Sequence, residues 1–153
     1  MARIGWESVV MQLLSILLTA LAASGASSAS KEPEFSRGQV WTYSTRSNES
    51  VSVLTVVEVN RPKGEVPIVF IGITGLHVRF RATPTGPYVQ QTQLPCVPMS
   101  EDALRRSVKT LLRVDSQISK YLSDCSDFHL LGGPTYAVSV ADTVAEIEKE
   151  MNR

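Results

Sequence analysis

The sequence is poor in the residues that soft metals and nucleophilic chemistry require. Its 153 residues include two cysteines and two histidines. His77 and His129 lie far apart, with no paired Cys and His ligands beside them, so a zinc site has no ligand set at workable spacing. No metal and no cofactor is expected. Also lacking are a glycine-rich phosphate loop, a Gly-x-Ser-x-Gly elbow and a dinucleotide fingerprint; Gly72 and Gly75 read better as a bend in a strand. There is no excess of charge of either sign, because 15 Lys and Arg balance 15 Asp and Glu. A neutral chain exerts no long-range pull on nucleic acid or on an anionic membrane surface, and neither is an expected partner.

No apolar run is long enough to span a bilayer. The longest candidate lies near the N-terminus, where Arg3 precedes an uncharged stretch from Ser8 to Ala23 rich in Val, Ile and Leu. That stretch is shorter than the roughly 20 residues of a spanning helix. Ala22 to Ser30 are almost all Ala, Ser and Gly, the small side chains a signal peptidase accepts. Residues 1–29 therefore read as a secretory signal peptide cleaved after Ala26 or after Ala29, with no stable membrane span once it is removed. The expected location is exported, periplasmic or secreted. Residues 30–37 read as a flexible polar lead, and 38–153 as one domain of a size that supports a single core.

In an oxidising compartment, Cys96 and Cys125 read as a disulfide that restricts the unfolded chain by about 3.5 kcal/mol. The competing reading leaves Cys96 a reactive thiol activated by His77 or His129.

Period-two patterns dominate the first half of the domain. Trp41, Tyr43 and Thr45 share one face of a strand, Ser47–Ser50 supplies a turn, and Val51, Val53, Thr55, Val57 and Val59 alternate with Ser52, Leu54, Val56 and Glu58 in the next strand. After the turn residues Asn60–Gly64, Ile68 to Phe80 reads as one long strand bulged near Gly72 and Gly75. Tyr88 to Leu94 reads as an edge strand, since Pro95 and Pro98 would interrupt a central ladder.

Helical signals follow. Ser100 is an N-cap with Glu101 and Asp102 in the first turn, and Ala103, Leu104, Val108, Leu111 and Leu112 recur at helical spacing. A weaker helix is predicted over 115–124, a strand over 135–140, and a last helix capped by Asp142 with Val144, Ile147 and Met151 as its apolar stripe. The expected fold class is α+β: a mainly antiparallel sheet of about five to six strands covered by two to three helices.

Several of these segments together resemble an uncharacterised family of small bacterial proteins. The residues that carry the resemblance are Gly38-Gln39-Val40-Trp41-Thr42-Tyr43, Leu54-Thr55-Val56, Ile68-Val69-Phe70-Ile71, Leu94-Pro95 and Met99-Ser100-Glu101-Asp102-Ala103-Leu104. The family has a tryptophan in its second helical segment that this chain lacks. The resemblance implies a shared fold unit and carries no activity, cofactor or site residue.

Three groups of residues have chemistry to offer. His77, Arg79 and Arg81 alternate along a strand and make an anion-binding candidate, or else the wet face of an antiparallel sheet. Arg105, Arg106, Lys109 and Arg113 form a basic helix face that either docks on acid or keeps the helix soluble. Trp41 and Tyr43 are either a stacking platform or core. The carboxylate pairs Glu101/Asp102 and Glu146/Glu150 read as helix-dipole and surface residues rather than as acid and base. The expected function is a non-catalytic binding or interaction module of the cell envelope, of inhibitor or immunity type, taking an envelope protein or a small anionic ligand. The alternative is a small hydrolase or thiol enzyme using Cys96 with a histidine.

Overall fold

The computed structural model describes residues 32–118, Cys125 and residues 133–153. The predicted signal peptide, His129 and most of the helix predicted over 115–124 lie outside the described residues.

Five strands form one antiparallel sheet: β1 (Gln39–Tyr43), β2 (Val53–Asn60), β3 (Ile68–Arg81), β4 (Tyr88–Ser100) and β5 (Val108–Val114), in the spatial order β4-β3-β2-β1-β5. Helix α1 (Glu101–Ser107) separates β4 from β5, and α2 (Val140–Glu150) closes the chain. The fold is thus α+β, with five strands and two helices among the described residues. Phe35, Trp41, Tyr43, Leu54, Val56, Ile71, Leu76, Val78, Leu104, Val140 and Val144 belong to one buried cluster between sheet and helices. A smaller cluster of Val57, Phe70 and Cys125 forms a second apolar contact. Cys96 and Cys125 are bonded to each other, with Cα atoms 5.3 Å apart.

Strand β3 is continuous through both glycines, as its bulged reading predicts. Four residues of β3 span two of β4 between the pairs Thr74↔Gln93 and Val78↔Gln91. Gly75 sits in this irregularity at φ 76°, a left-handed conformation that costs a residue with a Cβ about 1–2 kcal/mol. The extra residues shift the pleat. Val69, Ile71 and Ile73 face the main core before the bulge, and Leu76 and Val78 after it, so His77, Arg79 and Arg81 are turned outward.

Three predicted elements are corrected. The helix that begins at Glu101 ends at Ser107, and Val108–Val114 is an edge strand instead of more helix. Its pairing with β1 explains the misleading spacing. The partners Gln39↔Val114, Trp41↔Leu111 and Tyr43↔Val108 give β5 two extra residues, so Val108, Leu111 and Val114, three apart, oppose residues of β1 that are two apart. Strand β4 extends through Pro95 and Pro98 to Ser100, which its edge position permits because a missing N–H there leaves no ladder partner wanting. The strand predicted over 135–140 reduces to one parallel bridge, Met99↔Tyr136, because Ser139 caps α2 by accepting the Asp142 N–H and the helix has begun by Val140. The cap is therefore Ser139, and Asp142 lies in the first turn.

Candidate functional site

The end of β3 overhangs β2. The last β2 pairing is Val53↔Thr74, so the backbone of residues 76–81 has β4 on one side and no strand on the other among the described residues. Carboxylates take the place of that strand. Glu49 Oε1 accepts the His77 N–H at 2.8 Å, and Glu148 Oε1 accepts the Arg79 N–H at 2.7 Å. The Arg46 guanidinium bridges the two acids, with Nε 2.9 Å from Glu49 Oε2 and further bonds to Glu49 Oε1 and Glu148 Oε2. Asn152 Nδ2 donates to the Arg79 carbonyl at 2.8 Å.

Burial opposes ionisation of Glu49, but the hydrogen bonds from Arg46 and from the His77 backbone, with the charge of Arg46, outweigh it and hold the carboxyl below its ordinary value. Glu148 is lowered in the same way against its own burial, by the Arg79 N–H and by Arg46. The Arg46 pKa is raised, chiefly by its bond to Glu49, so the guanidinium remains charged.

This clamp holds the β3–β4 hairpin beside the C-terminal part of α2, and a cleft of about 930 Å³ opens between them. Arg79, Arg81, Tyr88, Lys149, Asn152 and Arg153 are among its lining residues. The register pairs Arg81 with Tyr88 directly. The Tyr88 ring centroid lies 4.4 Å from Arg81 Cζ and 4.9 Å from Arg79 Cζ, a geometry that favours both cations through the ring quadrupole. Arg81 also donates to the Pro84 carbonyl at 3.2 Å. Arg79 spends only its backbone groups on the clamp, and its guanidinium has no hydrogen-bond acceptor among the described residues. Four cationic side chains line the cleft, of which Arg153 is paired with Glu150 at 3.0 Å, and the one lining side-chain carboxylate, Glu148, has both oxygens already engaged.

Of the three anion candidates in the sequence, Arg79 and Arg81 line this cleft and His77 does not. Tyr88, Lys149 and Asn152 were not legible as members. Tyr88 follows a turn of prolines and glycine that hides its pairing with Arg81, and α2 is remote in sequence. The other candidates are placed elsewhere. Trp41 and Tyr43 are buried, Trp41 edge-on to Phe35 with ring centroids 5.9 Å apart, so they are core and not a platform. Glu101 is buried and forked by Arg61 and Arg105, with N–O distances of 3.0 Å to each, while Asp102 pairs with Arg105 at 3.1 Å. Arg105 and Arg106 stay on α1, whereas Lys109 and Arg113 belong to β5, so the four do not share one helix face. Both sulfurs are in the disulfide, which leaves no thiolate for nucleophilic attack at Cys96. No helix among the described residues is long and apolar enough to cross a membrane.

No protein-family model, no curated protein and no solved structure matches the chain.

Proposed function

We propose that the protein is a small exported binding module, non-catalytic, that takes an oxyanion of its ligand in the cleft between the β3–β4 hairpin and α2. The observation that carries this reading is the pair Arg79 and Arg81, both within 5 Å of the Tyr88 ring, with Lys149 on the opposite wall. A guanidinium stacked on a ring keeps its in-plane N–H groups available, and a planar fork of donors matches a carboxylate or phosphate. Export is supported by the disulfide, a feature of oxidising compartments, and by the composition of residues 1–29. An inhibitor or immunity protein fits this description, since such a protein needs a rigid complementary surface and no reactive group.

The test is titration of the oxidised protein with inorganic tripolyphosphate and, separately, with a short poly-glutamate peptide. Binding of either is expected, weakened tenfold or more in an R79Q/R81Q variant and weakened by added salt. The two arms distinguish phosphate from carboxylate recognition. Binding of the probes by the variant as tight as by the wild type, or no binding of either by the wild type, refutes the reading.

A further inference from the structure

The two edges of the sheet are treated differently. At the β4 edge, Ser100 N–H donates to the Tyr136 carbonyl at 2.8 Å and Tyr136 N–H donates to the Pro98 carbonyl at 2.9 Å. Pro95 and Pro98 remove donors from the same stretch, and Cys96 ties Cys125 to it. At the other edge, β5 has β1 on one side and no strand on the other among the described residues. Six of its seven residues are exposed, including Leu111 at 42 %, Leu112 at 48 % and Val114 at 65 %. A strand whose outer edge meets no other strand among the described residues, and whose apolar side chains are exposed, is a template for one more strand.

Charge decides what that strand is. Arg46, Arg61 and Arg105 all have carboxylate partners. The side chains of Arg106, Lys109 and Arg113, on or beside β5, have neither a hydrogen bond nor an ion pair among the described residues. A second copy of the chain paired antiparallel about Leu111 would set Lys109 opposite Arg113 twice over, and like charges directly opposite are unfavourable. An extended partner carrying Asp or Glu among β-branched residues meets the same cations with opposite charge. We propose that β5 is a docking edge for an acidic extended segment of a partner protein, which adds to the sheet as a sixth strand. This surface lies across the sheet from the hairpin cleft and is independent of it.

Fluorescence anisotropy with a labelled octapeptide alternating Glu with Val and Thr tests the proposal, with the Lys-for-Glu peptide as its counterpart. The acidic peptide is expected to bind, to lose tenfold or more of its affinity for a K109E/R113E variant, and to retain its affinity for R79Q/R81Q. Hydrogen exchange is expected to slow at the amides of residues 108–114 when the acidic peptide is present. The proposal is overturned if both peptides bind alike, if K109E/R113E binds the acidic peptide as well as the wild type does, or if protection falls elsewhere. Because the side chains of Lys109 and Arg113 are exposed and have no partner among the described residues, their reversal is expected to leave the fold intact, which circular dichroism checks.

Discussion

Glu49 is a loop residue with 1 % of its surface exposed, and its charge is held there by one arginine and one backbone N–H. Removing the Glu49 carboxylate leaves the His77 N–H without its acceptor and takes one of two carboxylates from Arg46, which keeps Glu148 and partial contact with solvent, at a cost of about 1–3 kcal/mol. Glu49→Ala is expected to lower stability by that order in urea unfolding, with the β3 overhang losing hydrogen-exchange protection first. Acid sensitivity follows from the same contacts. The native carboxyl of Glu49 ionises below the ordinary 4.5, so the unfolded chain takes up its proton before the folded one does. Stability contributed by the clamp is therefore complete above the ordinary carboxylate range and is lost as the pH falls through the native value. Glu148 acts in the same direction. Unfolding midpoints measured between pH 7 and pH 3 are expected to fall for the wild type and to fall less for Glu49→Gln, which has no proton to take up.

The strands are shaped by their irregularities more than by their alternation. In β2, Val56 pairs with Ile71 and Glu58 with Phe70, so Val57 is an extra residue. Leu54 and Val56 accordingly face the main core while Val57 joins the smaller cluster, and Val59 packs against the main core again. Period two read from the sequence located this strand, yet it did not say which side faces the core after the bulge. The same shift in β3 rests on Gly75, where an added Cβ would lie 3.0 Å from the Ser52 Cα in addition to the strain of positive φ. Gly75→Ala is expected to destabilise the domain by about 1–2 kcal/mol or more and to weaken anion binding, because the bulge sets the pleat on which Arg79 and Arg81 stand. Calorimetry and the tripolyphosphate titration check the two effects separately. In β5 the bulges create a period near three, which in the sequence reads as helix. Local periodicity reports only the spacing of apolar residues, and two bulges in a strand mimic the spacing of a helix.

At the scale of the whole molecule, Cys96–Cys125 links β4 to a residue that packs on Val57 and Phe70. With its partners 29 positions apart, the bond is expected to contribute about 3–4 kcal/mol, most of it by restricting the unfolded chain. Urea unfolding with and without reductant, and of a C96A/C125A variant, measures that contribution; a loss below about 1 kcal/mol would show that the native contacts alone hold Cys125 in place. The α+β class, the long bulged β3, the edge position of β4, the pairing of the cysteines and the apolar stripe of α2 were all legible in the sequence. Each depends on residue types whose preference is local: β-branched runs, prolines barred from central ladders, Ser at a helix start, two sulfurs with no competitor. The strand order, the fate of residues 108–114 and the cleft were decided only in three dimensions. Arg79 and Arg81 are recognisable as cations on a strand at any stage. Their meeting with Lys149 and Asn152 required β3 to outrun β2, two carboxylates to cap the overhang, and α2 to fold back beside it. Such long-range juxtapositions are set by packing and leave no periodic trace in the chain.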